Sequence, residues 1–264
     1  MTSLTLSGLT VLAPSGRPIL DDIGFHVDPG EIVGLVGESG SGKSMTSLAL
    51  TGMLPDAVTP AAGTASLGDQ TFMSGGKVTR RPEISMVFQN AKAALNPTMR
   101  VGKQIERLLV KLGATGRGDL TGRIRSILAE VGIADADRVR KAYPHQLSGG
   151  MNQRVMIAMA LAAEPRFLIA DEPTTGLDVT VQAQILRLLA STTADSNRGV
   201  LLITHDLGVV AQTCSRVVVM YHGRIMETGP VDDIFHAAKD PYTRELIASA
   251  NPDDVVVGAE GVLS

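Results

Sequence analysis

The sequence predicts an α/β fold in which a mostly parallel core sheet carries an antiparallel β part at its N-terminus and an inserted helical lobe. Three observations predict it. Apolar and polar residues alternate at the start of the chain, as in half-buried antiparallel strands. Four later segments are short, nearly all apolar and followed by polar residues, as parallel strands covered on both faces are. Between the second and third of these segments, the spacing of apolar residues becomes helical.

The predicted elements follow in chain order. Alternation over residues 4–11 and 23–27 predicts an antiparallel edge. An apolar strand at 31–36 then runs into a glycine-rich turn and a helix from residue 44 to about residue 53. The remaining predicted elements are buried strands at 84–88, 167–170 and 200–204, lobe helices at 101–112 and 120–131, a turn-linked strand pair at 216–220 and 225–227, and a terminal pair of helices.

These elements predict one domain over residues 1–250, with an α/β core at 1–89 and 156–235 and a helical subdomain at about 90–155. Residues 251–264 are expected to form a loose tail.

The lone Cys214 can neither close an intrachain disulfide nor supply a cysteine metal cluster, which favours a reducing, cytoplasmic compartment. The longest strongly apolar stretch is much shorter than the roughly 20 residues of a membrane span, and the first residues carry no targeting signal.

Charge and composition exclude a nucleic-acid-binding class. The chain has 24 basic and 27 acidic side chains, a formal net charge of −3, which gives no general field that attracts nucleic acid. With no Trp, three Tyr and five Phe among 264 residues, a stacking platform for single strands would be hard to assemble. We therefore expect no nucleic-acid partner.

A phosphate-binding loop is the strongest local signal in the chain. The segment GESGSGKS fits the pattern G-x-x-x-x-G-K-[ST] and lies between a predicted strand and a predicted helix. Glycines let backbone N–H groups approach phosphate oxygens, a lysine reaches the β and γ phosphates, and the final hydroxyl suits Mg²⁺. The motif predicts a P-loop NTPase core. Its expected nucleotide-binding residues are Gly37, Glu38, Ser39, Gly40, Ser41, Gly42, Lys43 and Ser44, with Ser44 also a metal ligand.

Two acidic residues follow another buried strand, in the segment FLIADE. Alternation along a strand points neighbouring side chains to different sides. We therefore assign Asp171 to Mg²⁺ and Glu172 to the attacking water, which it would orient or deprotonate. Taken alone, the pair is equally consistent with a solvated strand end, but the phosphate loop in the same chain favours the catalytic interpretation.

A second helix start is suited to an anion. Ser148, Gly149, Gly150 and Met151 open a predicted helix, with Ser148 as its N-cap. Two such helix starts about a hundred residues apart leave two arrangements open: either both bind one nucleotide, or each completes a site on another copy of the chain.

These motifs and their order resemble the ATP-binding cassette (ABC) family, through GESGSGKS, LSGGM and FLIADE. The resemblance covers nearly the whole chain. It implies that two ATP are bound between two subunits packed head to tail, with the LSGG segment of one facing the phosphate loop of the other. It further implies that Gln89 senses Mg²⁺ and water, that Asp178 contacts the partner subunit beside the site, and that His205 contacts the γ phosphate.

A narrower resemblance points to the ATPase subunits of peptide and nickel importers. It rests on the runs ALNPTMRVG, YPHQLSGGMNQRVMIAMALA and DEPTTGLDVTVQAQIL and on DPYTREL near the end. It implies a second ATPase subunit of the same or a different chain, transmembrane permease subunits, an extracytoplasmic solute-binding protein and a place on the cytoplasmic face of the membrane. The chain departs from it at Asp240, where those relatives usually carry His, and in lacking an aromatic residue near Leu12 to stack on adenine.

We therefore expect an ATP- and Mg²⁺-dependent ATPase that drives uptake of peptides or nickel and other metal chelates by closing and reopening a head-to-tail dimer. Two alternatives are a soluble cassette ATPase that is not linked to transport and a module that uses ATP only to hold an assembly together. Soluble cassette ATPases usually carry two cassettes in one chain or long coiled insertions, and neither is visible in this sequence. The intact Glu172 and His205 argue against an assembly module that does not hydrolyse ATP.

Overall fold

The computed structural model describes residues 3–113 and 120–250 and places them in two β-sheets with ten α-helices. The predicted tail at 251–264 lies outside the described residues. The strands of the two sheets are β1 (Leu4–Leu12), β2 (Pro18–Val27), β3 (Ile32–Val36), β4 (Thr59–Leu67), β5 (Gln70–Ser74), β6 (Lys77–Val78), β7 (Ile84–Val87), β8 (Phe167–Asp171), β9 (Gly199–Ile203), β10 (Arg216–Tyr221) and β11 (Arg224–Pro230).

The core sheet is parallel except at one edge. Its strand order is β11-β10-β3-β9-β8-β7, and only β11 runs antiparallel to its neighbour. The predicted α/β class and all the predicted strands of this sheet are therefore confirmed. Because five strands point the same way, their carboxyl ends meet at one edge, where ligands of such sheets bind.

The antiparallel part is larger than the sequence predicted. It has five strands in the order β2-β1-β4-β5-β6, of which the alternation pattern predicted only β1 and β2. The missed strand β4 is built of Thr, Pro, Ala, Gly and Ser before its final Leu, so it has no alternation of large apolar residues. Pairing with β1 along the whole of its length holds it in the sheet instead. Tertiary contacts have here overridden a weak local preference.

The helices are α1 (Lys43–Thr51), α2 (Ala91–Ala94), α3 (Val101–Lys111), α4 (Leu120–Glu130), α5 (Ala136–Lys141), α6 (Gly149–Leu161), α7 (Val179–Ser196), α8 (Leu207–Thr213), α9 (Val231–Ala237) and α10 (Pro241–Ser249). The patterns predicted at 101–112 and 120–131 are confirmed as α3 and α4. The last helix, α10, begins directly after Asp240, the residue at which the chain departs from the importer ATPases that it resembles. The Asp240 side chain accepts a hydrogen bond from the backbone N–H of Thr243. Aspartate is a favoured N-cap, so this position keeps a clear structural role.

The two larger apolar clusters lie on opposite faces of the core sheet, and a third, smaller one packs α8 and α9 against β10. One contains the inner face of the antiparallel sheet and residues of β3, β8 and β9, with Leu9, Leu35 and Ile169 fully buried. The other contains the helical lobe together with the opposite face of the sheet. Cys214 packs at the edge of this second cluster, and burial raises the pKa of its thiol to about 12.

None of the helices in the described ranges is both long and apolar enough to cross a bilayer.

Candidate functional site

The phosphate loop connects β3 to α1, and Lys43 is the first residue of that helix. Its ammonium group folds back over the loop: Nζ donates to the carbonyl oxygens of Gly37 at 2.7 Å and Glu38 at 2.8 Å and lies 3.3 Å from Ser41 Oγ. Burial lowers the pKa of Lys43, while the negative charges of Glu172 and Asp171 act in the opposite direction. The loop therefore encloses a cation that is largely removed from water.

Three loop glycines have left-handed backbone angles, and two of them lie where no side chain fits. A Cβ at Gly37, with φ of 145°, would stand 2.0 Å from the carbonyl oxygen of Met220. One at Gly42, with φ of 106°, would stand 2.6 Å from Leu20 Cδ2. A Cβ at Gly40, with φ of 82°, would have no atom within 4 Å and so would face open space. The loop is thus fixed on its inner side and open on its outer side.

Asp171 ends β8 beside this loop. Burial raises the pKa of Asp171 above its ordinary value, although the nearby Ser44 hydroxyl acts in the opposite direction. The carboxylate atom Oδ1 is buried and has no hydrogen-bond partner among the described residues. A buried acceptor without a partner is costly, which indicates that a cation or a water belongs there.

Glu172 is held by three side chains. Its carboxylate accepts hydrogen bonds from Gln89 Nε2 at 2.8 Å and Thr175 Oγ1 at 2.9 Å, and it lies 3.0 Å from His205 Nδ1. Burial acts to raise the pKa of Glu172, but the bonds from Thr175 and His205 and the charges of His205 and Lys43 outweigh it, so the pKa is lowered. The carboxylate is therefore ionised, and its neighbours hold it in one orientation.

The backbone at Glu172 is also unusual, with φ of 44° in the left-handed region. Its N–H donates to the carbonyl of Ile203 at 2.8 Å, which prolongs the pairing of β8 with β9 by one residue. A non-glycine residue in this region carries strain, and such strain is concentrated at functional sites. The turn thus directs the Glu172 side chain across the sheet edge towards Gln89 and His205.

The segment from Ser148 to Met151 starts α6, and its Gly149 lines a cavity together with Gln89 and Thr175. Ser148 is the N-cap, and its Oγ accepts a bond from the Met151 N–H at 3.3 Å. A Cβ at Gly150 would stand 2.6 Å from Val181 Cγ1, so a glycine is needed for α6 to pack against α7. In the described part of the chain, no hydrogen bond joins this segment to the phosphate loop. The structure does not bring the two predicted anion-binding helix starts into contact within one chain.

Asp178 is the N-cap of α7, where its carboxylate accepts a bond from the N–H of Val181 at 3.0 Å. The side chain thus has the capping role that its position before a helix favours. Its neighbour Val179 is 80% exposed, an unusual state for a large aliphatic side chain. The apolar and capping residues at this helix start are therefore available to a partner surface.

Sequence reasoning missed two residues of the site. Thr175 donates to Glu172 from three positions downstream, and only its place in the turn after the carboxylate pair could have indicated it. Tyr242 lies in α10, and its hydroxyl accepts a bond from the Glu38 N–H of the phosphate loop at 3.2 Å. A separation of 204 residues left no local signal for this second contact.

The glycine loop encloses a buried ammonium group, and an oriented carboxylate lies beside it. Phosphate-loop ATPases have these two groups in their active site, and the fold defines the same class of protein. Residues 20–175 match the family described as ABC transporter. The chain is 44% identical over 237 residues to the oligopeptide transport ATP-binding protein AppD of Bacillus subtilis (strain 168), covering 88% of this chain and 72% of that protein. This chain belongs to the ABC transporter family.

Further relatives agree in sequence and in structure. Identity to the dipeptide transport ATP-binding protein DppD of Escherichia coli (strain K12) is 44% over 232 residues, covering 86% of this chain and 71% of that protein. The structure of cbiO1 from Clostridium perfringens, described as part of the ABC transporter complex cbiONQ, matches with a TM-score of 0.73 at 27% identity. That match covers 89% of this chain and 90% of the other.

The loop geometry predicts that Gly37 and Gly40, three positions apart, differ in their tolerance of a side chain. Gly37→Ala should lower the free energy of unfolding by at least about 2 kcal/mol, because the new Cβ meets a backbone oxygen that cannot move aside. Gly40→Ala, in open space, should cost only the roughly 1 kcal/mol of a left-handed alanine. Urea unfolding of both variants measures the difference. Equal losses would mean that the loop is not fixed at Gly37.

Proposed function

We propose that the chain is the ATP-hydrolysing subunit of an importer and that its cargo class is peptides. The observation that carries this proposal is the carboxylate of Glu172, which Gln89, Thr175 and His205 orient beside the buried ammonium of Lys43. AppD and DppD are named as oligopeptide and dipeptide transport proteins, which favours peptides over nickel as the cargo. Residues 1–250 then act as one ATPase domain, with the helical part at about 90–155 as the lobe that faces the permease.

The residues present fit a Mg²⁺ ion that accompanies the nucleotide. Asp171 offers an unpartnered carboxylate oxygen, and the Ser44 hydroxyl lies beside the same group. In the described part of the chain no three His, Cys, Asp or Glu side chains group together to hold a metal. Mg²⁺ commonly uses one or two carboxylates and takes its other ligands from substrate phosphates and water. We infer that Ser44, Asp171 and Gln89 would hold it, where it would neutralise phosphate charge.

Hydrolysis then uses groups that the structure already orients. Lys43 exchanges its bonds to the loop carbonyls for bonds to the β and γ phosphates, which have the opposite charge. His205, which is well exposed, turns towards the γ phosphate and leaves one carboxylate oxygen of Glu172 free. That oxygen accepts a hydrogen bond from the attacking water and takes its proton as the water oxygen bonds to the γ phosphorus and the bond from that phosphorus to the ADP oxygen breaks. Losing the contact with His205 also raises the proton affinity of Glu172 at this step.

The second anion-binding segment is proposed to act in a head-to-tail dimer. Within one chain, Ser148 to Gly150 makes no hydrogen bond to the phosphate loop among the described residues, so this segment is free to face another copy or a related subunit. The exposed Val179 beside Asp178 provides apolar contact area in the same interface. A γ phosphate held between Lys43 of one subunit and the N-terminus of α6 of the other would join them, and its release would let them part.

Replacing Glu172 by Gln keeps the shape of the side chain and removes its charge. We expect turnover to fall by at least about 100-fold, because the water loses its base, while ATP binding stays within about twofold and an ATP-bound dimer accumulates. Phosphate release and light scattering measure the two effects. Glu130→Gln on the surface of α4 is the matched control and should leave both unchanged. A Glu172→Gln enzyme that turns over at the normal rate would remove this residue from the catalytic role.

Substituting Ser148 by Arg places a long side chain at the start of α6. We expect ATP binding to the single subunit to persist and ATP-dependent dimerisation to be lost, because the new side chain blocks the proposed interface. Ser126→Arg, exposed on α4, is the matched control. Multi-angle light scattering in the Glu172→Gln background distinguishes the two. Dimerisation equal in both variants would contradict the head-to-tail arrangement.

A groove between the core and the helical lobe is the proposed permease-docking site. It has a volume of about 370 Å³ and is mostly apolar, with contributions from the end of α1, from β7 and from α6. Four methionines and a phenylalanine line it: Met53, Met86, Met156, Met159 and Phe88. Flexible methionines suit the binding of an apolar helix. Phe88 directly precedes Gln89, whose side chain bonds to Glu172. A helix seated in this groove would therefore contact the residue next to Gln89 in the chain.

Met53 is 42% exposed at the rim of this groove, which makes it suitable for substitution without disturbing the core. We expect Met53→Glu to prevent recovery of the subunit with membranes from cells that express its permease, because a charge replaces the apolar contact, while basal ATP hydrolysis is unchanged. Leu112→Glu, at an apolar position of similar exposure (39%) outside the groove, is the control. If both variants still sediment with membranes, the permease docks elsewhere.

A further inference from the structure

The order of the strands determines in which direction a bound nucleotide must extend. Glu172 and His205 lie at the ends of β8 and β9, on one side of β3 and the phosphate loop, and these are the residues proposed to face the γ phosphate. The strands β10 and β11 lie on the other side of β3. A triphosphate whose γ end points towards β8 and β9 therefore carries its ribose and base towards the turn between β10 and β11.

That turn presents aromatic rings next to the phosphate loop. The ring of His222 lies 4.1 Å from the ring of Tyr221, at an interplanar angle of 63°. Tyr221 in turn lies 4.1 Å from Tyr242 of α10, with the rings tilted by 31°. Tyr221 and Tyr242 are half-buried, whereas His222 is exposed. The two tyrosines thus support a histidine ring that is open to solvent.

Two hydrogen bonds attach this aromatic cluster to the phosphate loop. The Gly223 N–H donates to the Ser41 carbonyl at 2.9 Å, and the Glu38 N–H donates to the Tyr242 hydroxyl at 3.2 Å. The Gly223 carbonyl also accepts a bond from the Asp21 N–H of β2 at 2.8 Å. The backbone of Gly223 therefore holds the turn against both the phosphate loop and β2, and the Tyr242 hydroxyl joins α10 to the loop.

The other aromatic side chains are placed elsewhere. Phe25, Phe72 and Phe167 are buried in the core under the sheets. The remaining ones lie in the groove described above (Phe88), in α9 (Phe235) and in the helical lobe next to Arg100 and His145 (Tyr143). The end of β1 at Leu12 is aliphatic and provides no ring. Of the described rings, the cluster at the β10–β11 turn is the one joined to the phosphate loop.

His222 also has a left-handed backbone, with φ of 44°. Glycine or asparagine would adopt this conformation with less strain, so a histidine at this position costs some stability. Its side chain forms no hydrogen bond among the described residues that would explain its presence. An exposed, supported ring at a strained position beside a nucleotide loop is suited to stacking on a flat ligand.

We propose that the His222 ring, supported by Tyr221 and Tyr242, is the platform on which the nucleotide base stacks, in place of an aromatic residue in the β1–β2 hairpin. This rests on the proposed function, since it takes ATP to be the substrate. A stacking platform recognises the flat face that every base has, so it adds affinity for purine nucleotides without choosing sharply between adenine and guanine. The triphosphate itself is bound elsewhere, by the loop.

The test compares a ligand that has a base with one that has none. Dissociation constants for ATP and for inorganic tripolyphosphate are measured by calorimetry on the full chain, wild type, His222→Asn and His222→Phe. Asparagine removes the ring but suits the left-handed backbone, and phenylalanine restores a ring. We expect His222→Asn to weaken ATP at least about fivefold and tripolyphosphate by less than about twofold, and His222→Phe to bind ATP as the wild type does.

Three outcomes would overturn the proposal: ATP affinity unchanged in His222→Asn, equal weakening of both ligands, or a wild-type protein that binds ATP no more tightly than tripolyphosphate. Equal weakening would show that the turn only supports the phosphate loop. Because these measurements follow binding and not phosphate release, they are separate from the test of hydrolysis. A chain that binds ATP through His222 but releases no phosphate would contradict the proposed function alone.

Discussion

The side-by-side pairing of β7, β8 and β9 is the constraint on which the whole site depends. Val87 pairs with Ala170, and Asp171 pairs with Ile203, so the three strands end together. The residues that follow these ends therefore meet, although Gln89 is 83 positions from Glu172 in the chain. A slip of one residue in either pairing would turn the side chains to opposite faces of the sheet. Parallel pairing thus brings together residues that no short motif could.

Burial adds an electrostatic condition to this geometry. It lowers the pKa of Lys43 and raises the pKa of Asp171, so both charged forms are held where water solvates them poorly. Charges in such surroundings interact more strongly with an incoming ion than exposed charges do. A triphosphate and its cation would provide each of these groups with an opposite charge. The chain without ligand therefore retains an unfavourable arrangement that binding relieves, which is the usual cost of a prepared site.

The sequence predicted the parts of the fold whose local chemistry is restrictive. The phosphate loop needs glycines at fixed places, since Gly37 and Gly42 leave no room for a Cβ, and the core strands are continuous apolar runs. Strand β4 escaped prediction because its residues are small and its order comes from pairing with β1. The parts played by Gln89 and His205 came from the family resemblance, because one glutamine or histidine after a strand carries no distinctive pattern. Tyr242 was missed because its partner is at the other end of the chain.

The high pKa of Cys214 affects how the protein can be labelled to measure its conformational changes. At neutral pH a thiol with a pKa near 12 is ionised in only about one molecule in 10⁵, and the thiolate is the form that reacts with alkylating reagents. Cys214, which is partly buried, therefore reacts slowly with such reagents at neutral pH. Single cysteines introduced at fully exposed positions, where the thiol ionises more readily, can then carry spin labels or fluorescent dyes in preference to Cys214.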